Sequence, residues 1–164
     1  MTQGMQSSRA VMILPSPPDG VLDGSRHLYA VRVYYEDTDL SGITYHANYL
    51  RWFERARSDL LRLLAIDQRA AIEAGEGAWA VAEVNLKYIK PARLDDDIVI
   101  TTTCTELGAA SCRMHQVANR LGSAAPEPLC EARLRVGFIS LEGRPRRQPA
   151  EWQAAFAKFM NSEG

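Results

Sequence analysis

YYEDTDLSGITYHANYLRWFERARSDLLRLL, residues 34–64, changes its period halfway. Leading into it, from His27 to Glu36, Val31, Val33 and Tyr35 alternate with Arg32, Tyr34 and Glu36, the two-residue repeat of a half-buried strand. From Tyr45 onward Tyr45, Tyr49, Trp52, Phe53, Ala56, Leu60, Leu63 and Leu64 fall three, four or one apart. That spacing predicts an amphipathic helix of about 20 residues whose aromatic stripe serves as the central core element. The far face would carry Arg51, Arg55, Asp59 and Arg62, with Arg55 and Asp59 in i, i+4 register. Between strand and helix lies a turn over residues 37–42, and Glu36, Asp37 and Asp39 gather three carboxylates there.

Four further strand-like runs follow, over residues 78–90, 98–106, 111–121 and 129–141. They are separated by Pro91 with Asp95 to Asp97, by Gly108, by residues 122–128 and by Glu142-Gly143. Links this short favour antiparallel neighbours. A short helical or irregular piece over 67–77 precedes them, and a helix over 149–160 closes the chain with Trp152, Phe156 and Phe159 on one stripe after a proline suited to a first turn. The result is α+β: a curved antiparallel five-stranded sheet wrapped around a long central helix, with open edges suited to self-association.

Residues 1–25, mixing Gln, Ser, Gly and Pro, read as a flexible extension ahead of one domain over 26–164. A length of 164 residues suits a single core without staples. A formal net charge of -1 offers no field for nucleic acid. No apolar run reaches the ~20 residues of a membrane helix, and the run over 10–14 lacks a secretory pattern, so a cytoplasmic location is expected. Cys104, Cys112 and Cys130, widely spaced on strands, read as buried thiols. His27, His46 and His115 match no metal-ligand spacing, so no metal is expected, and no phosphate-cradling loop or nucleophile elbow is present.

RVYYEDTDLSGITYHANYLRWFERAR, residues 32–57, supported by KYIKPARLDD over 87–96, resembles the hotdog-fold acyl-CoA thioesterases. The likeness is to the 4-hydroxybenzoyl-CoA thioesterase-like branch and, within it, to the YbgC, or Tol-Pal-associated, type. It covers roughly residues 27–160. It implies a homodimer or homotetramer with edge-to-edge sheets and active sites at the dimer interface. It also implies an acyl-CoA or acyl-carrier-protein substrate, and no cofactor beyond the coenzyme A of the substrate itself. By position in the motif, Asp39 matches the catalytic carboxylate, and His46 matches the residue at the helix start whose backbone N–H faces the thioester oxygen. Gly42, Tyr45, Asn48 and Tyr49 are the accompanying substrate-binding candidates.

Thioester hydrolysis needs a base or nucleophile beside the acyl carbon and a donor for the oxygen that turns negative. An ionised strand-end carboxylate and the unpaired N–H groups of a helix's first turn supply these. Whether Asp39 attacks directly or activates water stays open. Glu36 and Asp37 read as turn or surface groups, and Glu54 as the ion-pair partner of Arg51, Arg55, Arg57 or Ser58. Trp52 and Phe53 read as core. For the phosphates of coenzyme A the cations on offer are Lys90, Arg93, Arg113, Arg133, Arg135 and the run over 144–147, which could also touch acyl carrier protein or an anionic membrane surface. Two alternatives stand beside hydrolysis: a non-catalytic scaffold on the same fold, and a dehydratase of hydroxyacyl thioesters pairing a histidine with Glu54.

Overall fold

A computed structural model describes residues 14–122 and 125–164. Six strands form one antiparallel sheet in the order β1-β2-β4-β5-β6-β3. The strands are β1 (Val21–Asp23), β2 (Arg26–Arg32), β3 (Ala78–Tyr88), β4 (Asp97–Leu107), β5 (Ser111–Arg120) and β6 (Glu127–Ile139). Helix α1 (Asn48–Leu63) lies across one face, followed by the short α2 (Gln68–Glu73) and, after the sheet, by α3 (Ala150–Met160). This is the hotdog arrangement, with six strands where the sequence predicts five.

The additional strand comes from residues assigned above to the extension. Asp23 pairs with Arg26 across a two-residue loop, and Gly24 sits there at φ +58°. A side chain at Gly24 would meet the backbone of Gly164 at 2.7 Å, so the chain end packs against this turn. The boundary at residue 25 therefore falls inside a hairpin, and residues 1–13 lie outside those described.

Parity along each strand selects the inner face. Ile98, Ile100, Thr102 and Cys104 of β4, Cys112, Met114, Gln116 and Ala118 of β5, and Cys130, Ala132, Leu134, Val136 and Phe138 of β6 are buried beneath the helices. Helix α1 offers Tyr49, Trp52, Phe53, Ala56 and Leu60 in return, the stripe the sequence predicts. Each such large apolar side chain contributes about 1.5–3 kcal/mol on leaving water. Register shifts with the extra residue in β3, β4 and β6 sharpen the twist that curls the sheet around the helix. All three cysteines are free and buried.

Two boundaries move. Strand β2 stops at Arg32 rather than Glu36, because Tyr34 N–H turns to the side chain of Asp37 and a 3-10 turn, Tyr35–Asp37, takes over. Helix α1 begins at Asn48 rather than Tyr45, because Tyr45 N–H donates to the Asp37 carbonyl (2.8 Å) and Thr44 N–H to that of Ala92 (2.8 Å), holding both residues in non-helical positions. Asp59 also corrects the expectation. It is buried and lies 2.7 Å from His27 Nε2, with Gly20 N–H donating to the same oxygen, instead of facing solvent with Arg55.

Candidate active site

The three carboxylates divide their work. Asp37, only 8% exposed, accepts Tyr34 N–H (2.7 Å) on one oxygen and Asn48 Nδ2 (2.5 Å) on the other, while its carbonyl accepts Tyr45 N–H. It ties the end of β2 to the start of α1. This is a correction for Asp37, which is an interior brace and not a surface group. It also places Asn48, expected to face substrate, against Asp37. Glu36 is exposed.

Asp39 stands exposed on the turn between them. Ser41 donates to it through both its hydroxyl and its main-chain N–H (2.8 Å), while Gly42 N–H donates to its carbonyl (3.0 Å). These bonds, the Ser41 hydroxyl first, hold its carboxyl below the usual aspartate range, and the nearby imidazole of His46 adds to the effect. Gly42 adopts φ +76°, the left-handed corner that lets the turn close over the carboxylate. Its place is in the turn.

Helix α1 opens without a side-chain cap. Ala47 occupies the cap position and no side chain satisfies the first turn, whereas α2 is capped by Asp67, which accepts Ala70 N–H (3.0 Å). Among the described residues the N–H groups of His46 and Ala47 have no partner, although those of Tyr45 and Asn48 do. An uncapped, accessible helix start is an unfilled set of donors with positive polarity. His46 lines a cleft of about 290 Å³ with Ile43, Thr44, Tyr49, Tyr88 and Lys90. Asp39 is joined to one lining residue of this cleft, its N–H donating to the Ile43 carbonyl (3.1 Å).

Tyr45 is exposed and tilts its ring onto that of His46, with centroids 4.5 Å apart. Tyr49 is buried, packs edge-on to Trp52 and Tyr88, and accepts Ala92 N–H on its hydroxyl (3.2 Å), so it serves core and cleft together. Asp39, Gly42, Tyr45, His46, Asn48 and Tyr49 thus meet at one end of α1. Glu54 does not join them: it accepts Arg57 (2.5 Å) and Ser58 (2.9 Å), and Arg57 in turn donates to the buried Gln116 (2.9 Å). Of the candidate phosphate-binding cations, Lys90 lines the cleft, paired to Glu127 at 2.5 Å. Among the described residues no group of three His, Cys, Asp or Glu could hold a metal ion, and no helix is long and apolar enough to cross a membrane.

The sequence gives little warning of two residues. Asp37 looks like any other acid in a turn. Tyr88 reads as one more strand residue, and only its place in KYIKPARLDD hints at more; in space its hydroxyl donates to the His46 carbonyl at 2.8 Å.

Comparison with known proteins identifies the family and the fold. Residues 41–123 match the thioesterase superfamily. The chain is 37% identical over 131 residues to the acyl-CoA thioesterase YbgC of Haemophilus influenzae, covering 78% of this chain and 92% of that one. A crystal structure of a probable thioesterase from Bartonella henselae superposes with a TM-score of 0.68 at 33% identity, covering 76% of this chain and 99% of that chain. A 4-hydroxybenzoyl CoA thioesterase mutant complexed with 4-hydroxybenzoyl CoA superposes with a TM-score of 0.73 at 20% identity, over 80% of this chain and 98% of that one, a likeness of fold.

Proposed function

The chain belongs to the thioesterase superfamily, and on that premise we propose that it hydrolyses an acyl-CoA thioester to the free acid and coenzyme A. The observation that carries the proposal is the uncapped start of α1: the N–H groups of His46 and Ala47 are unpaired among the described residues, His46 lines an apolar cleft, and the carboxyl of Asp39, held below the usual aspartate range, is close enough to feel the His46 imidazole.

The thioester carbonyl lies with its oxygen toward those N–H groups. Asp39 either attacks the carbonyl carbon, giving a mixed anhydride that water then opens, or removes a proton from the water that attacks. In both routes the carbonyl oxygen becomes an oxyanion, met by donors already in place, and collapse breaks the carbon–sulfur bond so that the thiolate leaves and takes up a proton. One such donor is worth about 10²- to 10³-fold in rate, and a positioned base about 10²- to 10⁴-fold. Lys90, on the cleft wall, is the cation placed to meet a phosphate of coenzyme A.

We place the enzyme in the cytoplasm as a homodimer or homotetramer. What supports self-association is the edge strand β3, which leaves Val81, Val84 and Tyr88 half exposed with no strand beside it, together with the fully exposed Leu40 next to Asp39. A second copy pairing along β3 would cover that edge. Contact with acyl carrier protein or an anionic membrane surface is supported by the basic run over 144–147, and a Tol-Pal association by the resemblance of the sequence.

The test is thiol release from a panel of acyl-CoAs of graded chain length that includes an aromatic one, with Asp39→Asn as control. Turnover of at least one substrate, reduced about 10²-fold or more in the variant, is expected. A silent panel would remove the hydrolase reading in favour of the scaffold.

A further inference from the structure

We infer that Tyr88 is a positioning residue for the oxyanion donors, acting from the edge strand β3 on the peptide that joins His46 to Ala47. The inference rests on the hydrolase reading above and adds to it a residue outside the YYEDTDL to NYL motif.

The Tyr88 hydroxyl donates to the carbonyl oxygen of His46 at 2.8 Å, across 42 residues of sequence. Its ring stands edge-on to the His46 imidazole (centroids 6.3 Å apart) and to Tyr49 (5.8 Å), and it lines the same cleft. A peptide unit is planar and trans, so the bond that holds the His46 carbonyl also fixes the direction of the Ala47 N–H on the other side of that plane. It fixes the ψ angle of His46 as well, and with it the approach of the His46 N–H. A hydrogen bond to the carbonyl further polarises its amide, making the Ala47 N–H a better donor.

Nothing else described performs this task. The segment over 45–47 precedes the helix proper and has no side-chain cap; main-chain bonds hold it at Tyr45 N–H, at the Tyr45 carbonyl through Asn48 N–H and at the Ala47 carbonyl through Leu50 N–H (3.2 Å), while among the described residues the His46 carbonyl has the Tyr88 hydroxyl as its partner. Burial pushes the Tyr88 phenol up from its ordinary range, so it keeps its proton and remains a donor throughout the neutral range. Because β3 is the free edge of the sheet, the same residue links the donors to the edge along which a second copy would pair.

Tyr88→Phe keeps the ring and removes only the hydroxyl. The expected result is a kcat about tenfold lower, a fraction of the 10²- to 10³-fold seen when an oxyanion donor is deleted outright, with KM within about twofold. The melting temperature should stay within about 2 °C, since the ring contacts remain. In a two-dimensional amide spectrum the Ala47 nitrogen resonance should move upfield as its peptide loses polarisation. A kcat within twofold of wild type, while Asp39→Asn abolishes turnover, overturns this inference and leaves the hydrolase reading standing. A rise in KM alone makes Tyr88 a substrate contact and overturns it too, as does a loss of kcat that tracks a lowered melting temperature. A wild-type enzyme silent on every acyl-CoA overturns both readings together.

Discussion

Asp37 and Asp39 are separated by one residue, and replacing each by alanine should damage different properties. Asp37→Ala removes the acceptor of Tyr34 N–H and of Asn48 Nδ2, two bonds, one to each oxygen of the acid, at 2.7 and 2.5 Å in a site 8% exposed. Bonds of this kind contribute about 1.5–3 kcal/mol each, and the donors left behind lose their only described partner. Some water reaches the site once the carboxylate is gone and Asn48 can turn, so the lower end of the sum, about 3 kcal/mol, is expected. At about 2–4 °C per kcal/mol for a chain of this size, the midpoint should fall by about 6–12 °C. The Asp39 side chain bonds to its neighbour Ser41 alone among the described residues, on an exposed turn, so Asp39→Ala should melt within about 2 °C of wild type and yet lose turnover about 10²-fold or more. Thermal unfolding followed by circular dichroism at equal protomer concentration, paired with thiol release well below the midpoint, reads both effects. An Asp37→Ala midpoint indistinguishable from wild type, or an Asp39→Ala midpoint lowered as far, would refute the division of labour between brace and catalyst.

The remaining expectations follow from neighbouring features. Ser41→Ala takes away the larger of the two bonds that hold Asp39 below the aspartate range, so Asp39 gains its proton at higher pH and the acid limb of kcat/KM moves upward; profiles that overlay would show that Ser41 does not set the ionisation. Asp59→Ala leaves His27 Nε2, on a side chain 0% exposed, and Gly20 N–H without their described partner, and a buried group left unsatisfied costs about 1–3 kcal/mol, read as a midpoint at least about 2 °C lower; an unshifted melt would mean the contact is dispensable. The Cys130 thiol, pushed up to about 12 by burial, should resist alkylation at pH 8 in the folded enzyme and react fully in denaturant, as mass spectrometry of labelled peptides would report; fast native labelling at Cys130 contradicts the burial.

The one-dimensional pattern of the chain suffices for the central helix and for five of the six strands, and it singles out the stretch proposed to carry the chemistry. Period is a local property: the aromatic stripe of α1 and the alternation along β4 to β6 follow from 3.6- and 2-residue repeats whatever else the chain does. The same holds for the turn at Gly42, whose chemistry is written in adjacent residues. Which of three clustered acids becomes interior is a different kind of fact. Asp37 is buried because Asn48 and Tyr34 converge on it, and Asp59 because His27, 32 residues away, arrives on the same side of α1. Helix periodicity alone could not reveal that, since position 59 falls on the edge of the apolar stripe and reads equally well as surface. The helix start shifted by three residues for a similar reason, since the bonds from Tyr45 N–H to Asp37 and from Thr44 N–H to Ala92 tie that segment to distant parts of the chain. Tyr88 reaches His46 only because β3 lies at the sheet edge beside the start of α1. Hydrogen bonds between distant segments depend on where the chain returns in space, and that return is set by the packing of the whole sheet around the helix, not by any short run of residues.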